Sequence, residues 1–391
     1  MMIIGSTWRR RCAALGLCLS LVAACGASAQ VKVLINPGDR GEQGRFETYS
    51  QWKAVVEQAV QKAGGTGTTS KLSTDASQDL QTTRSRTYDI FVAPAHVVGS
   101  AIRYGYTPVL GLEQPVQAVL VAMEGSPIKD LADAKGKRLG LPTQDSVVTY
   151  LLRGEVNALN TSIKRHFGAL YQSRYQEAML LCLQIRRCDL VVVEKELYER
   201  WVAAGEKLQV VMETRKSPSM SIAIKNEMKP DPRAIQAALP AALAAAKLVA
   251  LSSGDFEYIS TLGYFTPRTL KGAQIVEAAT VASLMAKGAK LIDTRNETEF
   301  KAGHIPGAQL VPYGEKSAKE PDYDAALDEF DVAKLGSDRN AEMIFACNGP
   351  ECWKSFKASQ AAIKAGFKRV YWFRGGFPEW RSAGQKIASE G

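Results

Sequence analysis

The sequence predicts an α/β protein of two unlike domains, and three observations carry that expectation. The chain has 391 residues, more than one hydrophobic core usually organises. Short apolar runs, among them Val31–Ile35, Ile90–Val92 and Leu190–Val193, read as buried strands, and the longer stretches between them have helical spacing. No internal repeat recurs at the period of a solenoid or propeller, so neighbouring units are expected to differ.

The first residues stand apart from both domains. Arg9-Arg10-Arg11 is followed by an apolar run, Cys12 to Ala24, and then by the small residues Ala27-Ser28-Ala29. That order of basic, apolar and small residues predicts a cleaved secretory signal over 1–29, and hence a periplasmic protein. Val22-Ala23-Ala24-Cys25 also resembles a lipoprotein box, which makes lipidation of Cys25 the competing start. The apolar run is too short to span about 30 Å of hydrocarbon, and no later segment is long enough, so no membrane span is expected.

Charge narrows the partners. The formal charge of +9 falls to +6 when the three arginines of the leader are removed (9 − 3 = 6), and basic and acidic residues are interleaved along the rest. A solvated surface explains this better than a nucleic-acid interface. Outside the leader remain Cys182, Cys188, Cys347 and Cys352, two close pairs that export would allow to oxidise. Cys182 and Cys188 read equally as a disulfide or as two buried thiols. No metal-ligand spacing includes any of the four, and no cofactor is implied.

From Gln30 the α/β pattern continues to about residue 265, with 266–275 read as a linker and 276–391 as the second domain. Ala234 to Leu251, alanine-rich and apolar on a helical period, is expected to be one packed helix. Leu139–Leu141 reads as a strand, Pro142–Ser146 as a turn, and Val147 to Leu159 as a helix with Ser146 at its N-cap. Free amides at such a helix start favour an anion, and Thr149 could add a second hydroxyl. Asp145 would repel that anion, so it is expected to point away unless the ligand is weakly charged. His96, after the Pro94-Ala95 turn, is a candidate ligand donor or a histidine bonded to backbone.

Tyr88–His96, Tyr104–Val109, the crossing segment Gln117–Ala122 and Ile128–Pro142 occur in an order that resembles solute-binding proteins of the phosphonate-binding type. The resemblance implies a bilobed type II periplasmic-binding-protein fold. It also implies a cleft for a small sulfur or phosphorus oxyanion, with Ser146, Thr149 and His96 as candidate ligand contacts.

The C-terminal third carries three further stretches. Lys290–Arg295 with Glu299-Phe300 and Gly303–Ala308 comes first, Met343–Cys347 with its following turn second, and Val370–Trp380 third. Together they resemble the rhodanese sulfurtransferases, which implies a central parallel sheet flanked by helices and a cysteine nucleophile at Cys347. A sulfur carrier needs a thiolate near neutral pH, and a strand–loop–helix turn supplies it by aiming backbone N–H groups at the sulfur. The loop holds Asn348, Gly349, Pro350, Glu351, Cys352 and Trp353 before Lys354 and Ser355. It is longer than the family's usual loop, and Lys354 stands where an arginine is common, as a point charge for an anionic donor.

Cys352-Trp353 resembles a subset of exported rhodanese-like proteins associated with quinoprotein metabolism. That implies a sulfur-acceptor thiol or protein, or a periplasmic redox or quinoprotein partner. Cys352 is read as a resolving thiol for a Cys347 persulfide, with a dithiol–disulfide couple and a permanent structural pair as alternatives. Asp293, Arg295, Glu299 and His304 are assigned to fold support.

Overall fold

The computed structural model describes residues 30–39, 41–242 and 247–390; the expected leader and Cys25 lie outside them. The chain builds three sheets. Two belong to the first domain and one to the second.

The first lobe holds a six-stranded sheet in the order 248–250, 106–112, 221–225, 90–93, 31–35, 68–72. Val31–Ile35 pairs in parallel with Thr68–Leu72 and with Ile90–Ala93, while Ser221–Lys225 runs antiparallel between Ile90–Ala93 and Tyr106–Leu112. Val33, Ile35, Ile90 and Val92 are wholly enclosed under the helix Glu42–Lys62, which contributes Trp52, Val56 and Val60 to the same cluster. A strand covered on both faces needs this unbroken apolar text.

The second lobe holds five strands in the order 169–172, 138–141, 190–194, 118–123, 208–213. The chain enters it between Leu112 and Ala118 and returns between Glu213 and Ser221, and the two crossings are bridged at Val116 and Ser217. Two antiparallel crossings allow the lobes to hinge about a cleft without either lobe refolding.

Alanine-rich residues 234–251 do not form a single helix. The helix is Pro232–Ala242, with Pro240 inside it, and Leu248–Ala250 is an edge strand antiparallel to Tyr106–Leu112. Propensity favoured a helix throughout, but the open sheet edge beside Leu110 captures the last apolar triplet.

The C-terminal sheet is parallel throughout, with strands in the order 273–275, 369–373, 342–346, 290–293, 309–310. Its outermost strand, Ala273–Ile275, comes from the segment read as a linker, and Leu270 just before it is buried. Met343, Ile344, Phe345 and Trp372 are fully enclosed between the flanking helices. The fold is thus a bilobed type II periplasmic-binding-protein fold followed by an α/β domain with a parallel sheet. Among the described residues no helix is long and apolar enough to cross a membrane.

Candidate functional site

The second domain delivers its cysteines on a strand, a loop and a helix. Glu342–Ala346 ends at Cys347, and the helix Trp353–Lys364 starts immediately after Cys352, which occupies its N-cap. Cys347 and Cys352 are joined in a disulfide with their Cα atoms 6.1 Å apart. Both are buried, at 2% and 4% exposure.

The loop is held at nearly every residue. Asn348 donates from Nδ2 to Glu299 at 2.6 Å, and the Pro350 carbonyl accepts from the Thr266 amide and hydroxyl, both at 2.8 Å. Glu351 pairs with Arg103 at 2.9 Å, and the Trp353 indole donates to the Tyr264 carbonyl at 2.6 Å. Gly349 takes φ +88°, where a side chain would be strained and would meet the Tyr104 hydroxyl at 3.2 Å. Gly376 is required for a different reason: a Cβ there would collide with the Cys347 carbonyl, which accepts from the Phe377 amide at 2.8 Å. Arg103 and Tyr104 belong to the first domain, so the loop is clamped by both domains.

Lys354, in the first turn of the helix, is pushed down from its ordinary value by burial, with Glu299 and Glu315 opposing the shift. A lysine at the positive end of a helix strains that helix and attracts an anion. Ser355 has a structural task, since its hydroxyl accepts from the Trp372 indole at 3.1 Å. The charged residues upstream support the fold. Arg295 pairs with Asp293 at 2.7 Å and reaches the Gly303 carbonyl at 2.8 Å, His304 stacks on Phe300, and Glu299 both caps its own helix and holds Asn348. Lys357, one turn beyond Lys354, is wholly enclosed and pairs with Glu315 at 2.8 Å. It was not singled out in the sequence because nothing local marks a lysine as buried.

The first domain's candidates gather at the start of the helix Val147–Ala158 and then diverge. Ser146 caps it, accepting from the Val148 amide at 3.3 Å, and its hydroxyl also bonds the Asp39 carboxyl. Thr149 donates to the Thr143 carbonyl at 3.0 Å. His96 is buried with its ring 4.7 Å from Tyr150; burial pulls its pKa down to about 4, against the opposing pull of Asp145. Ser146 and Thr149 thus have hydrogen-bond partners within the first domain, whereas neither ring nitrogen of His96 has one.

Two spaces lie between the lobes, one of about 250 Å3 at the crossings, lined by Pro94, Ala95, Val116, Val147 and Glu194, and the other, an interlobe cleft of about 480 Å3, lined by Asn36, Asp39, Arg45, Ser77, Asp145 and Arg174 with their neighbours. Asp145 faces this cleft and does not point away. Burial alone would raise it, but Lys319 of the second domain, 3.0 Å away, together with His96 and Arg153 holds its carboxyl below the usual range. Lys319 also donates to Ser77 at 3.2 Å, so one lysine of the C-terminal domain touches both lobes at the cleft. Asp39 and Asp79 are each pushed up to about 7, chiefly by burial, with hydroxyl hydrogen bonds from Ser146 and Ser73 respectively opposing the shift. Arg45, Arg174, Asp39 and Lys319 escaped the sequence reading because the sheet, not a local motif, brings them together. Among the described residues no cluster of His, Cys, Asp or Glu could hold a metal.

The other pair, Cys182 and Cys188, is also a disulfide, with its Cα atoms 5.3 Å apart. Arg186 in the left-handed region, φ 55°, turns the chain after the helix Ala178–Gln184 so that the two cysteines can meet.

Two lobes about a crossing hinge, followed by a cysteine-bearing strand–loop–helix on a parallel sheet, define a solute-binding fold joined to a rhodanese-type module. Family models agree: residues 45–251 match the phosphonate periplasmic substrate-binding proteins of ABC transporters, and residues 277–383 match the rhodanese-like domain. The chain belongs to the phosphonate-type periplasmic substrate-binding family and carries a C-terminal rhodanese-like domain. Human thiosulfate:glutathione sulfurtransferase is 29% identical over 112 residues, 28% of this chain and 96% of the relative. Thiosulfate sulfurtransferase GlpE of Pseudomonas fluorescens is 30% identical over 102 residues, 26% of this chain and 77% of the relative. A binding protein component of an ABC phosphonate transporter from Pseudomonas aeruginosa superimposes with a TM-score of 0.46 at 18% identity, covering 60% of this chain and 86% of its own.

Proposed function

We propose that the protein is an exported sulfurtransferase in which Cys347 carries sulfane sulfur and Cys352 resolves it, joined to a module that binds a small oxyanion. The observation that carries this reading is the Cys347–Cys352 pairing inside the strand–loop–helix of the rhodanese-like domain. In the reduced protein the Cys347 thiolate attacks the sulfane sulfur of a donor such as thiosulfate. The donor's S–S bond breaks, its electron pair leaves with sulfite, and Cys347 becomes a persulfide. The terminal sulfur then passes to an acceptor thiol. Alternatively, Cys352 attacks the inner sulfur of Cys347, releases hydrosulfide and leaves the disulfide, and a dithiol reductant restarts the cycle. Lys354 attracts the anionic end of the donor, and the first-turn amides of the helix Trp353–Lys364 stabilise charge on sulfur.

Support for a thiosulfate-type donor comes from the names of the two curated relatives. The periplasmic family of the first domain and the basic–apolar–small leader support export. Arg45 and Arg174 at the cleft support an anionic ligand there, with Ser146 fixing the helix start behind it. The test is cyanide-dependent thiocyanate release from thiosulfate by the prereduced protein. Activity that is lost in Cys347→Ser supports the reading, and no thiocyanate from any sulfane donor removes it.

A thiol–disulfide oxidoreductase is the second reading, favoured by the seat of Cys352 at a helix N-cap, where a thiolate is stabilised. Rapid dithiol exchange with a model disulfide, without thiocyanate formation, would select it.

A further inference from the structure

Between the two domains lies a chamber of about 420 Å3, the size of a small-ligand site. The solute-binding domain supplies Thr149, Arg153 and Phe265, and the rhodanese-like domain supplies Ala318, Lys319 and Trp353. Ile163 and Leu170 make its floor apolar. Gln144 and Gln172 line both this chamber and the interlobe cleft, so the two spaces share a wall.

Arg153 is the group that calls for a ligand. It is only 8% exposed, and one guanidinium nitrogen donates to the Leu262 carbonyl at 2.6 Å, while Nη2 has no hydrogen-bond partner. Among the described residues no carboxylate pairs with it. The two acids whose charge reaches it are engaged elsewhere, Asp145 with Lys319 at 3.0 Å and Glu351 with Arg103 at 2.9 Å. The remaining lysines of the wall are likewise occupied: Lys164 pairs with Glu320, and Lys319 with Asp145. Burial pulls the Arg153 pKa down to about 9, so it remains charged at neutral pH. Its planar group lies over the rings of Tyr150 and Tyr264, which fixes its plane. A buried cation with an open donor is stabilised by an anion that brings its own charge.

We infer that this chamber binds a small organic monoanion, an oxyanion head held by Arg153 on an apolar body packed against Phe265, Ile163 and Trp353. One unpaired cation matches one negative charge, and the apolar floor disfavours a bare inorganic dianion that would lose its hydration without compensation. Trp353 follows Cys352 directly, so the bound molecule lies against the residue that ends the sulfur loop.

Benzenesulfonate is a suitable probe because it carries no sulfane sulfur, which makes the result independent of the sulfur-transfer reading. Calorimetry on the full mature protein should show benzenesulfonate binding, and inorganic sulfate should compete for that site at least about tenfold more weakly. Arg153→Met should weaken benzenesulfonate binding by about tenfold or more. Ala318→Trp fills the chamber from an exposed position and leaves Arg153 in place, so it remains informative if Arg153→Met fails to fold. Loss of binding in Ala318→Trp supports the site. Unchanged affinity in Ala318→Trp or in a folded Arg153→Met, or sulfate displacing benzenesulfonate as effectively as benzenesulfonate itself, overturns it.

Discussion

The two disulfides make an instructive pair. Cys182–Cys188 and Cys347–Cys352 close loops of similar length, with sequence separations of 6 and 5, and all four cysteines are buried. In the chain-entropy model such short loops contribute about 2 kcal/mol each to stability. Their surroundings differ. The first pair lies among Met179, Leu183, Val191 and Trp201, an apolar cluster at the C-terminal end of the helix Ala178–Gln184, where the helix dipole disfavours a thiolate. The second sits at the N-terminus of a twelve-residue helix, with Lys354 in its first turn. Burial and pairing are common to both, so they do not distinguish staple from reagent. The local field does.

The largest expected effect separates the pairs by activity. Cys347→Ser should lower thiocyanate formation by at least about a thousandfold, since the reaction loses its nucleophile. The double change Cys182→Ser/Cys188→Ser should leave turnover within about twofold and cost about 2 to 4 kcal/mol in urea unfolding. If the double variant loses turnover while remaining folded, the contrast between the pairs fails.

A smaller effect tests the clamp on the active loop. Arg103→Met leaves Glu351 buried without its cation; because Arg103 is 31% exposed, solvent screening reduces the cost to about 1 to 2 kcal/mol. The same variant should speed reduction of Cys347–Cys352 by a dithiol and leave Cys182–Cys188 unaffected, which alkylation of the released thiols can follow. Equal acceleration at both pairs would mean general loosening.

The smallest effect concerns pH and the first domain. The His96 pKa falls from 6.5 to about 4 on folding, so its contribution is fully present above pH 6.5 and is lost as pH falls toward 4. Asp39 and Asp79 have raised values near 7 and act in the opposite sense, losing stability as pH rises through that range. The informative quantity is therefore the difference between wild type and His96→Phe. Between roughly pH 7.5 and pH 6 the wild type should lose about 0.8 kcal/mol relative to the variant. A difference that stays constant with pH, measured by urea unfolding, contradicts a histidine buried in its neutral form.

Much of this architecture is legible in the sequence where local text and tertiary role coincide. Leu139–Leu141 into Ser146 and Val147 reads as strand, turn and helix because apolar period and capping residue agree, and Met343–Cys347 into Trp353 does so from its apolar strand and turn residues alone. Leu248–Ala250 did not, because an open sheet edge overrode alanine's helical preference. The cleft was less legible than the cysteine loop. The loop is contiguous in sequence, whereas Asp39, Arg45, Asp145 and Lys319 meet only through folding. Asp145 illustrates the limit, since an acid read as repelling an anion has its charge answered by a lysine from the other domain.

The most direct measurement is peptide mass spectrometry of the prereduced protein after brief exposure to thiosulfate, using Cys352→Ser to prevent resolution. The account predicts a gain of one sulfur, about 32 Da, on the peptide containing Cys347, and no gain in Cys347→Ser. A persulfide on Cys352 in the Cys347→Ser protein, with none on Cys347 in Cys352→Ser, would contradict it.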